Sequence, residues 1–262
     1  MEILIAYHLS CDRLWVLSHP EAVIAEGAHK LIIESFHKLI DNVPLAYIVG
    51  YKRFYDADYF VDPRVLIPRQ ETEELVSVLV SYLQTKKQPV VIADIGTGSG
   101  CIGLTLARLV PKHQYYLIDV STDALIVAQK NADALLTPTS LSQVQFFHGN
   151  LLDPIKGDLP QLIVANLPYL SAALMETLPT NVGSHEPLLA LYGGEDGFAL
   201  YRELLSQVAS KYQSLPWPEM WWEISPEQVP LIPGLFLDSY PLPNIEVVPD
   251  LNERDRFVHV SF

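Results

Sequence analysis

Short, uninterrupted apolar runs recur along the second two thirds of the chain, at Val90 to Asp94, Tyr115 to Asp119, Val144 to Phe147, Leu162 to Ala165 and Met220 to Ile224. Runs of this length without polar alternation read as strands buried on both faces. Between them, Cys101 to Val110, Thr122 to Leu135 and Phe198 to Gln213 carry helical spacing. A terminal pair of strands, Ile245 to Val248 and Phe257 to Phe262, flanks the polar stretch from Asp250 to Asp255. A polar Thr-Pro-Thr-Ser loop precedes Val144. Strand and helix in alternation imply a parallel sheet covered by helices on both faces.

The pattern before residue 90 is different. Ile3, Leu4, Tyr7, Leu14 and Leu17 suggest one apolar helical face, interrupted near His19-Pro20. Ala28, Leu31, Ile32, Ser35, Phe36 and Leu39 follow the same spacing in a second helix. Aromatic residues then crowd around Asp56-Ala57-Asp58, which reads as a β-hairpin turn. Pro63 and Pro68 hold the following piece extended. Glu71 to Leu83 returns to helix, with Leu75, Val76, Leu79, Val80 and Leu83 on one face. The expected organisation is a short helical N-terminal domain over 1–43, a hairpin and extended linker over 44–70, and an α/β domain over 71–262.

Composition narrows the class. Of the 262 residues, 49% are apolar, ample for a packed core, yet no apolar run reaches the roughly 18 residues of a membrane span. The N-terminus lacks the basic flank of a signal peptide. Cys11 and Cys101 are too few for a disulfide framework or a zinc site. A soluble, reduced, cytoplasmic protein without membrane contact is expected. The net charge of −14 disfavours direct grip on nucleic acid and suits a basic partner.

Two stretches carry candidate chemistry. Asp94-Ile95-Gly96-Thr97-Gly98-Ser99-Gly100 joins a strand to a helix. Its glycines permit a tight turn and close approach of backbone to a ligand, beside a helix N-terminus with free N–H groups. A dinucleotide, a flavin or S-adenosylmethionine would each fit such a cradle. Asp119 ends the next strand, where a carboxylate accepts hydrogen bonds from ribose hydroxyls. That spacing fits NAD as well as S-adenosylmethionine.

The second stretch, Asn166-Leu167-Pro168-Tyr169, follows the fourth strand and narrows the choice. The Asn166 side-chain oxygen and the Leu167 carbonyl can each accept one hydrogen of a planar –NH2 group. Tyr169 can stack on the substrate's flat face, and Pro168 keeps Leu167 extended. Such a clamp presents a weakly nucleophilic nitrogen to a methyl donor, with positioning supplying much of the catalysis. Two adjacent strands would bring both stretches to one crevice, since ligands of open α/β sheets bind beyond the strands' carboxyl ends.

Beyond these motifs, Pro44 to Gly50, Phe54-Tyr55, Val65 to Glu73, His185 to Leu191, Gly193-Gly194, Asp196-Gly197, Glu223, Glu227-Gln228, Asp250 and Arg254-Asp255-Arg256 complete a pattern over about residues 40 to 262. In this the chain resembles the HemK-type protein-(glutamine-N(5)) methyltransferases. The resemblance implies a class I (Rossmann-like) sheet of seven strands with one antiparallel strand. It also implies S-adenosylmethionine as cofactor and, as substrate, the glutamine of a Gly-Gly-Gln motif in class 1 peptide chain release factors. Carried over by motif, Gly96, Thr97, Gly98, Ser99 and Gly100 would hold the cofactor's amino-acid part, Asp119 its ribose and Leu151 its adenine, with Asn166 also among the cofactor-binding residues. Asn166, Leu167, Pro168 and Tyr169 would bind the glutamine.

Three features depart from the family's pattern. Leu167 stands where proline is usual, Asn150 where an acidic residue is common, and the N-terminal helical part is short. Asn-Leu-Pro-Tyr is also a form found in ribosomal RNA adenine-N(6) dimethylases, which leaves an adenine-N(6) methyltransferase as an alternative. A cofactor-binding protein without turnover is another.

Overall fold

The computed structural model describes residues 1–236 and 241–262. Helices α1 (Glu2–Leu9), α2 (Arg13–Ser18) and α3 (Glu26–Ile40) form the N-terminal unit, followed by α4 (Leu45–Val49). The expected first apolar face is not continuous. Ser10 turns left-handed at φ 52°, and the Cys11 N–H reaches back to the Ala6 carbonyl, ending α1. Leu4 is consequently buried, whereas Ile3, Tyr7, Leu14 and Leu17 are exposed. In α3, Ile32 and Ser35 are buried but Leu31 is not.

Strands β1 (Tyr51–Phe54) and β2 (Ala57–Phe60) form the hairpin. Its turn is Tyr55-Asp56, one residue earlier than the polar cluster suggests, with Tyr55 at φ 57°. Ala57 and Asp58 belong to β2, because Phe54 and Ala57 close the ladder as partners. Helix α5 (Gln70–Thr85) then buries Leu75, Val76, Leu79 and Leu83.

The remaining elements are β3 (Val91–Ile95), α6 (Cys101–Leu109), β4 (Gln114–Asp119), α7 (Thr122–Leu135), α8 (Pro138–Leu141), β5 (Val144–His148) and β6 (Leu162–Ala165). After them come the single turns α9 (Ala172–Met175) and α10 (Thr180–Gly183), α11 (Ala199–Lys211), β7 (Glu219–Glu223), β8 (Asn244–Pro249) and β9 (Asp255–Ser261). The stretch read as a Thr-Pro-Thr-Ser loop contains α8. Thr137 caps it by accepting from the Ser140 N–H, and Pro138 sits at its first turn.

The seven-stranded sheet has the order β5-β4-β3-β6-β7-β9-β8. All neighbours are parallel except the pairs made by β9, which runs antiparallel between β7 and β8. Successive residues of the central strands enter opposite cores, as the pleat requires. Val91, Ala93 and Ile95 pack on the α11 side with Trp222, while Ile92 packs on the α5–α6 side with Leu117 and Val164. That two-sided burial is why these strands read as apolar runs rather than alternating ones. Among the described residues no helix is long and apolar enough to cross a membrane.

Candidate active site

β3 and β6 lie side by side, with Ile95 opposite Ala165. The glycine stretch and the Asn-Leu-Pro-Tyr stretch therefore leave the sheet together at its carboxyl edge, as the two apolar runs suggest.

The glycine turn is held from behind by Asp94. Its Oδ2 accepts from the Thr97 hydroxyl at 2.7 Å and from the Gly103 N–H at 2.9 Å. Burial pushes the Asp94 carboxyl up to about 6. Gly96, Gly98 and Gly100 have φ of 70°, 55° and 81°, a region that strains any residue with a Cβ. At Gly100 a Cβ would also lie 2.7 Å from Leu104. The N–H groups of Gly96, Thr97, Gly98 and Gly100 are already bonded within the protein. Gly96 and Thr97 donate to the Ile118 carbonyl, and Gly98 donates to Asp119 Oδ2 at 2.9 Å. What the turn offers a ligand is bare backbone without side chains more than the row of free N–H groups expected from sequence.

Asp119 Oδ1 accepts from the Ser121 N–H at 2.9 Å. Each carboxylate oxygen thus keeps a further lone pair for a ligand hydroxyl. Desolvation raises this carboxyl above its ordinary value, against the opposing effect of the amides.

Two cavities open here. One of about 250 Å³ is lined by Gly96, Gly98, Asp119, Leu151, Asn166, Leu167 and Pro168 among others. A second of about 210 Å³ is lined by Leu66, Arg69, Asn166, Leu167, Tyr169 and Leu191 among others. Asn166 and Leu167 stand in the wall between them. Thr97, Ser99 and Gly100, expected in the cradle, sit behind it. Thr97 turns inward to Asp94, the Ser99 carbonyl accepts from Asn131 Nδ2, and Gly100 packs on Leu104 and Ala128. Leu151 reaches the cavity from a left-handed backbone at φ 50°. Asn150 also lines it, with its amide donating to Glu203 on α11.

The clamp's backbone is fixed from several sides. Gln228 Nε2 donates to the Tyr169 carbonyl at 3.2 Å. A Cβ at Gly193 would come within 2.3 Å of the Pro168 carbonyl, and one at Gly197 within 2.1 Å of the Tyr169 carbonyl. Both positions therefore need glycine for backbone to pack directly on backbone. Leu167 is buried, and its Cδ2 lies against Gly96 of the neighbouring turn.

Several members of this site carry no signature when read singly. Glu186 is buried and binds Arg69 at 2.8 Å and the Ile67 N–H at 3.3 Å, tying the loop after the clamp to the linker. Thr72 and Glu223 lie behind Asn166, and Asn131 bridges the hairpin to the glycine turn. For Arg69, Thr72, Glu186 and Glu223 the signal in sequence was only membership of the extended pattern around the two motifs, and Asn131 gave none.

Fold and site together define a class I S-adenosylmethionine-dependent methyltransferase: a seven-stranded sheet with one reversed strand, a glycine turn on β3, an acid ending β4 and an Asn-Leu-Pro-Tyr clamp on β6. The chain is 34% identical to a release factor glutamine methyltransferase of Bacillus cereus, over 98% of this chain and 90% of that protein. It is 36% identical to one of Moorella thermoacetica, over 97% and 88% respectively. The PrmC N-terminal domain family matches residues 1–50, and the methyltransferase small domain family matches 70–180. The chain belongs to the release factor glutamine methyltransferase family. The likeness extends into the N-terminal helices, beyond the 40–262 stretch legible from motifs. Among solved structures, the hMettl16 catalytic domain in complex with a MAT2A 3'UTR hairpin superposes with a TM-score of 0.57 at 14% identity, covering 78% of this chain and 75% of that one. Human methyltransferase 10 domain containing protein gives 0.51 at 13%, covering 78% and 88%. These two share the fold.

Proposed function

We propose that this chain transfers a methyl group from S-adenosylmethionine to the side-chain amide nitrogen of the glutamine in the Gly-Gly-Gln motif of class 1 peptide chain release factors, in the cytoplasm. One observation carries the reading: Asn166 and Leu167 line both cavities, so a donor in the first and an amide in the second would meet across them.

The residues present suit the cofactor. The side-chain-free turn at Gly96 and Gly98 would receive its amino-acid part, the spare lone pairs of Asp119 its ribose hydroxyls, and Leu151 its adenine. When bound, S-adenosylmethionine supplies an activated methyl group on a sulfonium. Asn166 Oδ1 and the Leu167 carbonyl accept the two hydrogens of the target amide and hold its nitrogen facing the first cavity. Tyr169 offers its ring to the flat face of the amide. Desolvation pushes the Tyr169 hydroxyl up to about 12, so it stays neutral. The amide nitrogen so held would take up that methyl group as the donor's carbon–sulfur bond breaks with its electron pair staying on sulfur, leaving a neutral thioether, and would release one proton to solvent. Orientation within hydrogen-bond reach supplies the rate advantage, because an amide nitrogen is a poor nucleophile.

The test is methyl transfer from labelled S-adenosylmethionine to a purified release factor, beside a variant of that factor lacking the glutamine and beside ribosomal RNA. Label on the factor that disappears in the variant is the expected result. Label on RNA would move the protein to adenine chemistry, and cofactor binding with no label anywhere would support a protein without turnover. Asn166→Ala is expected to lower transfer at least about 100-fold through lost positioning while the fold stays largely intact. Full activity in that variant would remove the clamp from the mechanism.

A further inference from the structure

Asn166 does its proposed work only if its side-chain oxygen, and not its nitrogen, faces the substrate. The two ends of an asparagine amide have nearly the same shape, so something must choose between them. Behind Asn166 lies a chain of buried groups. Asn166 Nδ2 is 3.3 Å from Thr72 Oγ1, which is 2.7 Å from Glu223 Oε2. Thr72 is 2% exposed and Glu223 is 1% exposed, so water does not compete for these bonds. Thr72 comes from the first turn of α5 and Glu223 from the end of β7, beside the clamp strand β6.

We propose that Glu223 and Thr72 are positioning residues that fix the orientation of the Asn166 amide. The inference rests on the reading of Asn166 as the acceptor of the substrate's –NH2. Hydrogen counting carries it. A threonine hydroxyl has one hydrogen, and a carboxylate only accepts. The Thr72 hydrogen is therefore committed to Glu223. What Thr72 turns toward Asn166 is a lone pair, and only Nδ2 can donate to it. Oδ1 is thereby left for the cavities whose shared wall Asn166 forms. Protonation of Glu223 undoes the choice. A carboxylic acid can donate to Thr72, which frees the Thr72 hydrogen to bond Asn166 Oδ1. The amide then turns over and presents hydrogens to the hydrogens of the substrate.

The surroundings place that switch in an accessible range. Desolvation pushes the Glu223 carboxyl up to about 7, opposed by the Thr72 hydrogen bond and by Arg256, with Arg69 also lowering it and Glu71 raising it. Tyr169, Tyr201 and Cys101 are the other titratable groups that feel its charge, and burial keeps all three neutral near neutral pH. The Tyr201 hydroxyl donates to the Glu223 backbone carbonyl at 2.7 Å, which holds the end of the strand without taking either carboxylate oxygen.

Kinetics and a substrate-free readout test this together. Thr72→Val is expected to lower kcat about tenfold or more, the scale of one lost orienting hydrogen bond, with cofactor Kd unchanged; Thr72→Ser restores it. Wild-type kcat is expected to fall on the acid side as Glu223 protonates, and this limb is expected to vanish in Glu223→Gln. In 15N-labelled protein, the Asn166 side-chain NH2 signal, assigned by its loss in Asn166→Ala, should titrate with Glu223 in the wild type and not in Thr72→Val. Wild-type kcat in Thr72→Val, a Thr72→Ser variant as slow as Thr72→Val, or an Asn166 signal that ignores Glu223 would each overturn the relay. Should the wild type fail to methylate any release factor, the substrate reading falls, and the NH2 titration still decides the relay.

Discussion

Leu167 shows how one residue answers to two neighbours. From sequence, only its carbonyl has a role, and proline would supply that carbonyl equally well. In the structure its N–H lies within reach of the Tyr201 hydroxyl, and its side chain is 3% exposed against Gly96. Proline has no N–H and a smaller side chain. Leu167→Pro is therefore expected to retain transfer per folded molecule but to lose about 1–3 kcal/mol of stability, measured by urea unfolding. A stable but inactive Leu167→Pro protein would show that the clamp needs more than its carbonyl. At Asp119 both oxygens already serve backbone amides, so the proposed role toward a ribose would be an addition to a structural one. Asp119→Ala is expected to weaken S-adenosylmethionine binding about 10- to 100-fold, the scale of hydrogen bonds to a charged group, read by calorimetry. An unchanged Kd would remove the ribose contact.

At the scale of elements, the site depends on pieces that are distant in sequence. Asn131 on α7 accepts from the Phe60 N–H at 2.7 Å and donates to the Phe60 and Ser99 carbonyls at 3.0 and 2.8 Å. One side chain thus ties the hairpin of the linker to the glycine turn. Asn131→Ala leaves the buried Ser99 carbonyl and the half-buried N–H and carbonyl of Phe60 without this partner and is expected to cost about 2–4 kcal/mol, visible as a lower urea midpoint with an unchanged slope. Glu186 and Arg69 make the corresponding tie between the linker and the loop after the clamp. The first helix behaves differently from its sequence pattern because its left-handed end at Ser10 redirects the chain. Helical periodicity cannot register such a turn when the next helix carries apolar residues at compatible spacing.

For the whole molecule, a buried carboxyl links stability to pH. Glu223 is raised from 4.5 to about 7, so the folded state holds its proton more tightly than the unfolded chain. The resulting stability is fully present below pH 4.5 and is lost as pH rises through 7, about 3 kcal/mol in all. Glu223→Gln is expected to raise Tm at pH 8 and to change it little at pH 5. An equal shift at both pH values would show that the carboxyl is not titrating in this window.

The sequence by itself determined the class of fold, the glycine turn, the acid ending the second sheet strand in sequence and the place of the Asn-Leu-Pro-Tyr stretch at the end of β6. Each is written in a short contiguous stretch whose local geometry follows from residue type, and uniform apolar runs report burial on both faces. Only the tertiary structure decided that Thr97, Ser99 and Gly100 stand behind the cradle, that most of the turn's amides are already bonded, and that Thr72 and Glu223 back Asn166. Those contacts span up to 151 residues of chain. They depend on which strands become neighbours and which way a buried polar group finds its partner, and no local pattern encodes that choice.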